Sequence, residues 1–376
     1  MKIAIVGCGF VADYYMSTLP LYPQLELVGV TDKNKDRQHQ FATYYSIPTY
    51  DSLEELLADS QVKIVVNLTD PRSHYQVSKS CLEAGKHVYS EKPLAMTIPE
   101  AKDLVQIAEN RGLQISSAPC SLLGETAQTV WKALRENMVG PVRLVYAEMD
   151  DGMVHQMPYQ KWVSKSGKPW PYADEFEVGC TIEHAGYYVN WLTAFFGPAE
   201  TVTSFSSCLI PNKETDVELT PADTPDFSVA CIKFQSGVVA RLTCSIVAPH
   251  DHKLSIIGDK GILSIHDCWD YSDSVYIQRL TRIGRKVFMN PIKQKYPLVR
   301  KPLTSKYTRG AQNMDFSRGI AEMAAAIFEN RRSRMAADVS LHNNELAIAI
   351  HNAFEGGCFY KLTTSFDAIF PMYWAK

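Results

Sequence analysis

Short apolar runs and amphipathic segments alternate through the first 120 residues of the chain. Lys2–Val6 reads as a buried strand, Phe10–Leu19 as a helix, and Leu25–Thr31 as a second strand ending at Asp32. Helical patterns at Lys35–Tyr44 and Leu53–Leu57 lead to a strand at Ile64–Leu68. A helix over Ser73–Ala84 stops at Gly85, and a strand follows at His87–Ser90. Pro99–Arg111 predicts another helix and Leu113–Ser117 another strand. Strand and helix in regular alternation predict an α/β unit with a doubly wound parallel sheet.

After Pro119 the pattern changes. A helix over Glu125–Asn137 ends at Gly140-Pro141, and Gly152–Glu177, rich in Pro, Lys and aromatic residues, reads as a loop over a site. Strand-like runs at Phe227–Phe234, Val238–Val247, Lys253–Ile257 and Gly261–His266 predict a large, mostly antiparallel sheet. Helical patterns return at Asn313–Glu329 and Ser340–Ala353. A chain of 376 residues is also longer than one core usually organises, so two domains are expected, 1–120 and an α+β domain over 121–376.

Composition narrows the class. With 46% hydrophobic and 21% charged residues the chain is a folded globular protein, and no apolar run is long enough to cross a bilayer. The opening apolar run breaks at Gly7 and Gly9, as a strand entering a turn does. Nine cysteines stand singly without a CxxC pair, which points to reduced thiols and a cytoplasmic setting. A net charge of -3 argues against nucleic acid as a partner. The charge is unevenly spread: Arg279–Arg309 holds ten Lys or Arg and no acid, leaving 28 cations against 41 anions elsewhere. Pro291, Pro297 and Pro302 make this stretch a loop or edge strand. It either packs on acidic surface, of this chain or a neighbouring subunit, or binds a substrate phosphate through Arg282, Arg285 and Lys286.

Gly7-Cys8-Gly9-Phe10-Val11-Ala12 fits GxGxxA between a strand and a helix. Gly7 permits the tight turn, Gly9 lets backbone approach a pyrophosphate, and Ala12 allows close helix packing. About twenty residues on, Asp32 ends the second strand, where an acid accepts from the adenosine ribose hydroxyls and repels a 2′-phosphate. The first domain is therefore expected to be a Rossmann domain binding NAD, with NADP disfavoured although Lys33 and Arg37 lie close.

Thr69-Asp70-Pro71-Arg72-Ser73-His74, followed by Ala84-Gly85-Lys86-His87-Val88-Tyr89-Ser90-Glu91-Lys92-Pro93, carries a resemblance. It resembles the glucose–fructose oxidoreductase / inositol dehydrogenase (Gfo/Idh/MocA) family, whose members show TPxxxH and then AGKHVxxEKP. The resemblance implies a cofactor site built from Gly7, Gly9, Phe10, Val11, Asp32, Thr69, Pro71, His74, Glu91 and Lys92. It also places Lys92 at the active-site lysine beside the nicotinamide. Independently, oxidising a secondary alcohol needs a group that stabilises the developing alkoxide, and an ammonium supplies it. Burial is expected to lower the pKa of Lys92 towards proton transfer.

The family's GGGxLxDxGxHxxD helix is matched by Val178–Asn190, with Glu183 for the first Asp, Tyr187 for the His and Asn190 for the second Asp. Glu183 and Tyr187 are four apart, so they share a helix face, with Asn190 on the same side. Glu183 is expected to grip a substrate hydroxyl while Tyr187 or Lys92 handles the reacting proton. His184 points about a quarter turn away and reads as structural. Trp162 and Trp170 serve either as platforms for a sugar-like ring or as anchors of a long loop. Cys120 has no paired His nearby in sequence and is not expected to act as a nucleophile. His250-Asp251-His252 sets two imidazoles on one strand face, yet the surrounding sequence offers no third ligand, so no metal is expected.

The expected protein is an NAD(H)-dependent oxidoreductase, a homodimer or homotetramer, acting on a secondary alcohol or ketone of a sugar, sugar derivative or cyclitol. Two alternatives stand beside this reading: a glycosidase of the same fold using NAD for transient oxidation, and a non-catalytic NAD-dependent sensor of a protein partner. Retention of Lys92 and Tyr187 argues against the sensor.

Overall fold

The computed structural model describes residues 1–303, 314–354 and 356–376. The first sheet is built from β1 (Lys2–Val6), β2 (Glu26–Thr31), β3 (Ile64–Asn67), β4 (His87–Ser90) and β5 (Ile115–Ser117). All its strands are parallel, in the order β2-β1-β3-β4-β5. The helices α1 (Ala12–Thr18), α2 (Lys35–Tyr45), α3 (Leu53–Ala58), α4 (His74–Glu83) and α5 (Ile98–Asn110) connect them. Their starts follow the caps in the sequence: the side chains of Asn34, Ser52 and Thr97 accept N–H bonds from the first turns of α2, α3 and α5. Strands β1, β3 and β4 are buried along nearly their whole length, as expected for a sheet covered on both faces.

The rest of the chain begins with α6 (Glu125–Arg135) and β6 (Val142–Asp150), then α7 (Tyr172–Val178), α8 (Cys180–His184) and α9 (Gly186–Phe196). Strands β7 (Ala199–Ser207), β8 (Phe227–Phe234), β9 (Val239–Ser245), β10 (Leu254–Gly258) and β11 (Gly261–Ile265) follow. Next come β12 (Val275–Ile283), β13 (Lys286–Met289) and β14 (Gln294–Tyr296), then α10 (Arg318–Phe328), α11 (Ala337–His351) and β15 (Cys358–Lys361). They form one large sheet, β13-β12-β11-β10-β6-β9-β8-β7-β15, with β14 paired to β12. Only the β6–β9 pair is parallel. One face is covered by α6 and α9, whose Trp131, Tyr188, Trp191 and Leu192 join its core.

Several elements depart from the sequence reading. The segment expected as a loop through Glu177 becomes helix α7 from Tyr172. Strand β7 gave no hydrophobic signal because Ser204, Ser206 and Ser207 occupy buried positions while Phe205 faces outward. The basic stretch forms an edge hairpin of β12 and β13 turning at Gly284, and its Lys306 and Arg309 lie outside the described residues. The helix expected to start at Asn313 is described only from Met314, and α10 begins at Arg318.

Helix α10 does not pack with the second sheet. Ile320, Met323 and Ala324 join Ile3, Ile5, Tyr15 and Val30 in a single core, so a segment more than 300 residues into the chain closes the first unit. The approach is close: a Cβ on Gly319 would lie 2.2 Å from the Tyr89 hydroxyl, so only glycine lets the helix pass there. No helix among the described residues is long and apolar enough to cross a membrane.

Candidate active site

The parallel sheet reverses its order between β1 and β3, and their carboxyl ends open a crevice of the kind that binds ligands in α/β proteins. A cleft of about 1370 Å³ starts there and runs to the second sheet. That volume exceeds what one small ligand usually occupies. Gly7 turns with φ +99°, and a Cβ on it would lie 2.5 Å from the Leu68 carbonyl oxygen. A Cβ on Gly9 would meet nothing within 4 Å, so its backbone faces open space where a phosphate can approach. Asp32 is buried and already shapes the turn: the Cys8 N–H donates to its Oδ2 at 2.8 Å and the Asn34 N–H to its Oδ1 at 2.8 Å. Two cations, Lys33 and Arg37, stand on the same wall, Arg37 4.0 Å from Asp32 Oδ2. A glycine cradle beside a buried acid fits a dinucleotide.

Past this turn, Phe10, Val11, Thr69, Pro71, His74 and Glu91 all line the cleft. His74 lies between two carbonyl oxygens, Nε2 3.0 Å from that of Thr69 and Nδ1 2.7 Å from that of Pro93. Burial pushes its pKa down against the two carbonyl contacts that raise it, and the ring links the loop after β3 to the segment carrying Lys92. Glu91 accepts from the Tyr15 hydroxyl at 2.7 Å and from the Lys92 N–H at 3.0 Å, which holds the backbone at Lys92.

Lys92, just beyond β4, reaches across the cleft to an ion pair with Glu183 on α8. Burial works against the Lys92 ammonium, but Glu183, Glu175 and Glu91 outweigh it and hold its pKa above the ordinary lysine range. This corrects the expectation that burial would lower it: three carboxylates around one cation retain the proton. Burial likewise pushes the Glu183 carboxyl up to about 7, with Lys92 opposing and Glu175 adding to the rise.

Tyr187, at the start of α9, is buried against Trp269 with ring centroids 5.3 Å apart. Burial drives its pKa well above that of a free phenol, so it stays protonated as a donor. Its hydroxyl makes no hydrogen bond with the described residues. Glu183 and Tyr187 share the cleft although a helix break separates them, because Ala185 keeps helical dihedrals.

His184, expected to be structural, pairs with a carboxylate on the cleft wall. It lines the cleft with Nε2 2.9 Å from Glu175 Oε1, and these carboxylate neighbours raise its pKa to about 9 against the opposing effect of burial. Asn190 turns the other way and donates to the Pro119 carbonyl at 2.7 Å, outside this cleft. Cys120 is buried, donates to the Asp315 carbonyl at 3.3 Å, and burial pushes its thiol up to about 11, which leaves it inert. Asp151, Glu175, Trp269 and Phe316 line the cleft and were not singled out from the sequence. Asp151 follows a half-exposed strand and Glu175 sits inside the supposed loop, so neither carried a local signal.

Trp162 and Trp170 also face the cleft, their rings 5.0 Å apart. Their segment is strapped over the nucleotide end: Ser166 donates through N–H and Oγ to Asp13 at 3.1 and 2.8 Å, and Lys168 donates to Gln40 at 2.6 Å. The basic stretch is elsewhere. No described residue from Arg279 onward to 303 lines the cleft, so Arg282, Arg285 and Lys286 do not hold a substrate phosphate there.

Residues 1–118 match a family profile described as "Oxidoreductase family, NAD-binding Rossmann fold". Residues 127–264 match the "GFO/IDH/MocA C-terminal domain". Trans-1,2-dihydrobenzene-1,2-diol dehydrogenase of Bos taurus is 25% identical over 73% of this chain and 77% of its own length. Among solved structures, a putative NADPH-dependent oxidoreductase from Desulfitobacterium hafniense superposes with a TM-score of 0.74 at 18% identity, covering 94% and 95% of the two chains. An aldose-aldose oxidoreductase from Caulobacter crescentus, complexed with glycerol, gives 0.72 at 18% identity, covering 96% and 99%.

Proposed function

Because this chain belongs to the Gfo/Idh/MocA family of NAD(P)-dependent oxidoreductases, we propose that it moves a hydride between NAD(H) and a secondary alcohol or ketone of a sugar, sugar derivative or cyclitol. The observation that carries this reading is the ion pair of Lys92 and Glu183 in the same cleft as the glycine turn, with Tyr187 on its wall. The names of the dihydrodiol dehydrogenase and the aldose-aldose oxidoreductase support a polyhydroxylated substrate.

When bound, the nicotinamide supplies or accepts the hydride. Gly7, Gly9, Phe10 and Val11 would hold its pyrophosphate, Asp32 the adenosine ribose, and Thr69, Pro71, His74 and Glu91 the wall leading to Lys92. In oxidation the alcohol O–H passes its proton to Lys92 Nζ as Lys92 gives one of its own to Glu183, and the ammonium so kept donates a hydrogen bond to the alkoxide oxygen. Tyr187 donates a second hydrogen bond to the same oxygen, and Trp162 packs on the ring. A panel of sugars, amino sugars and cyclitols incubated with NAD tests this. NADH accumulates with at least one secondary alcohol; release of reducing sugar with no net NADH would replace the proposal with transient-oxidation glycosidase chemistry.

A carboxyl that titrates near neutrality gives a pH signature. Below about 7 Glu183 is protonated and cannot accept the alcohol proton; above it the acceptor is free. The rate of alcohol oxidation therefore rises through neutral pH, ketone reduction changes in the opposite sense, and Glu183→Gln removes the limb. A Glu183→Gln profile that kept the limb would assign it to another group.

Asp32 supports NAD over NADP, since its carboxylate would repel a 2′-phosphate. Asp32→Ala is expected to shift the ratio of kcat/KM for NAD over NADP by about tenfold, equivalent to about 1.4 kcal/mol. A native preference for NADP would instead assign Arg37 and Lys33 to the phosphate. We also place the enzyme in the cytoplasm as a homo-oligomer, on the strength of its unpaired cysteines and of Tyr146 and Phe205 exposed on the uncovered sheet face. Light scattering that found a monomer would remove the second part.

A further inference from the structure

Beyond Lys92, Glu183 and Tyr187, three chain segments converge at the end of the cleft nearest the second sheet. Asp151 follows β6, His250 and His252 lie between β9 and β10, and Asp267 follows β11. Backbone pairing holds these segments in register. Asp150 and Asp251 exchange N–H···O bonds of 3.1 and 2.9 Å, Asp151 donates its N–H to the Ser245 carbonyl at 2.8 Å, and His252 bridges to Asp267. The side chains are thus presented by strand ends of one sheet.

Asp151, His250 and His252 each bring one donor atom to a point where all three lie within 4.8 Å of one another. His252 Nε2 is 3.7 Å from Asp151 Oδ1, and His250 Nδ1 is 4.0 Å from the same oxygen. Those separations are too long for hydrogen bonds. They are close to the roughly 3.4 Å that separates donors sharing a tetrahedral zinc ion at ordinary bond lengths. His252 is fully buried, and its Nε2 has no hydrogen-bond partner among the described residues. A buried imidazole nitrogen aimed at a carboxylate it does not bond needs something between them.

The other nitrogen of His252 points the same way. His252 Nδ1 lies 3.2 Å from Asp267 Oδ1, which also accepts from the Trp269 N–H at 2.8 Å. A carboxylate that fixes the remote N–H leaves the Nε2 lone pair facing the convergence point, which is how metal-binding imidazoles are oriented. His184 Nδ1, likewise buried without a hydrogen-bond partner, stands 3.6 Å from the second oxygen of Asp151.

We propose that Asp151, His250 and His252 bind one divalent transition-metal ion, for which zinc suits two imidazoles and a carboxylate. Three protein donors leave a coordination position open. Asp151 and Trp269 line the cleft, so that position faces the substrate space and takes a substrate oxygen. The sequence hid the site because its third ligand belongs to a different strand from the two histidines. It does not rest on the proposed reaction, since metal binding is read without turnover.

The test uses the full chain, stripped with a chelator and dialysed against zinc, with bound metal measured by mass spectrometry. One zinc per chain is expected, and cobalt in its place should give the visible absorption of a low-coordinate site. His250 is half-exposed, so His250→Ala should fold normally, as an unchanged unfolding midpoint would show, while zinc affinity falls at least about a hundredfold. Asp267→Asn should weaken zinc by about 10–100-fold, since it only orients His252. His266→Ala, changing an exposed histidine that faces Asp273, should retain the metal. Wild-type protein that binds no zinc, or stoichiometric zinc of unchanged affinity in folded His250→Ala, would overturn the assignment.

Discussion

Lys92→Met should lower kcat/KM for hydride transfer by about 10²- to 10³-fold, while the affinity for the dinucleotide changes by no more than about tenfold. The ammonium is the cation paired with Glu183 across the cleft, and its pKa is held high by three carboxylates, so it remains charged through the working pH range. A preorganised charge at the developing alkoxide is worth on the order of 3 kcal/mol, and methionine fills the same space without it. Removing the cation also removes the charge and the hydrogen bond by which Lys92 opposes the rise of the Glu183 pKa, so any residual oxidation should shift to higher pH. Tyr187→Phe should cost less, because the phenol supplies a neutral hydrogen bond beside a charged one. Steady-state kinetics with dinucleotide titration separate these effects. Undiminished turnover in Lys92→Met would remove the mechanism.

The second large effect concerns stability. Arg318, on α10, is buried and donates to Asp315 at 3.1 Å, to Glu125 at 2.8 Å and to the Leu123 carbonyl at 2.9 Å. It also lies 3.2 Å from the Tyr22 hydroxyl, itself bonded to Asp315. One guanidinium therefore ties α10, the start of α6 and the first sheet's unit together. Arg318→Met leaves Asp315 buried without a counter-charge among the described residues, while Glu125 keeps Arg300 at 2.9 Å. Breaking one side of such a network costs about 3–5 kcal/mol. The denaturation midpoint should fall accordingly, and the double variant with Asp315→Leu should recover part of the loss. A variant as stable as the native chain would show that the network contributes no net stability.

Much of this protein is legible in its amino-acid order, and the reason is locality. The parallel sheet, the glycine turn and Asp32 are written in contiguous patterns, since apolar strands, caps and turns answer to neighbouring residues. The run ending at Lys92-Pro93 was equally local, and every residue it and the glycine turn nominated lines one cleft. What only tertiary structure decided depends on residues distant in sequence. Whether Lys92 gains or loses its proton turned on Glu183 and Glu175, brought in from α8 and α7, and burial alone predicted the wrong sign. Asn190 faced Pro119 because the packing of α9 rotated it away from the cleft. Helix α10 joined the first core through Gly319 and Tyr89, a contact no local period encodes. Asp151 met His252 because the segment entering β10 pairs antiparallel with the end of β6, and strand pairing over that distance is set by the whole fold.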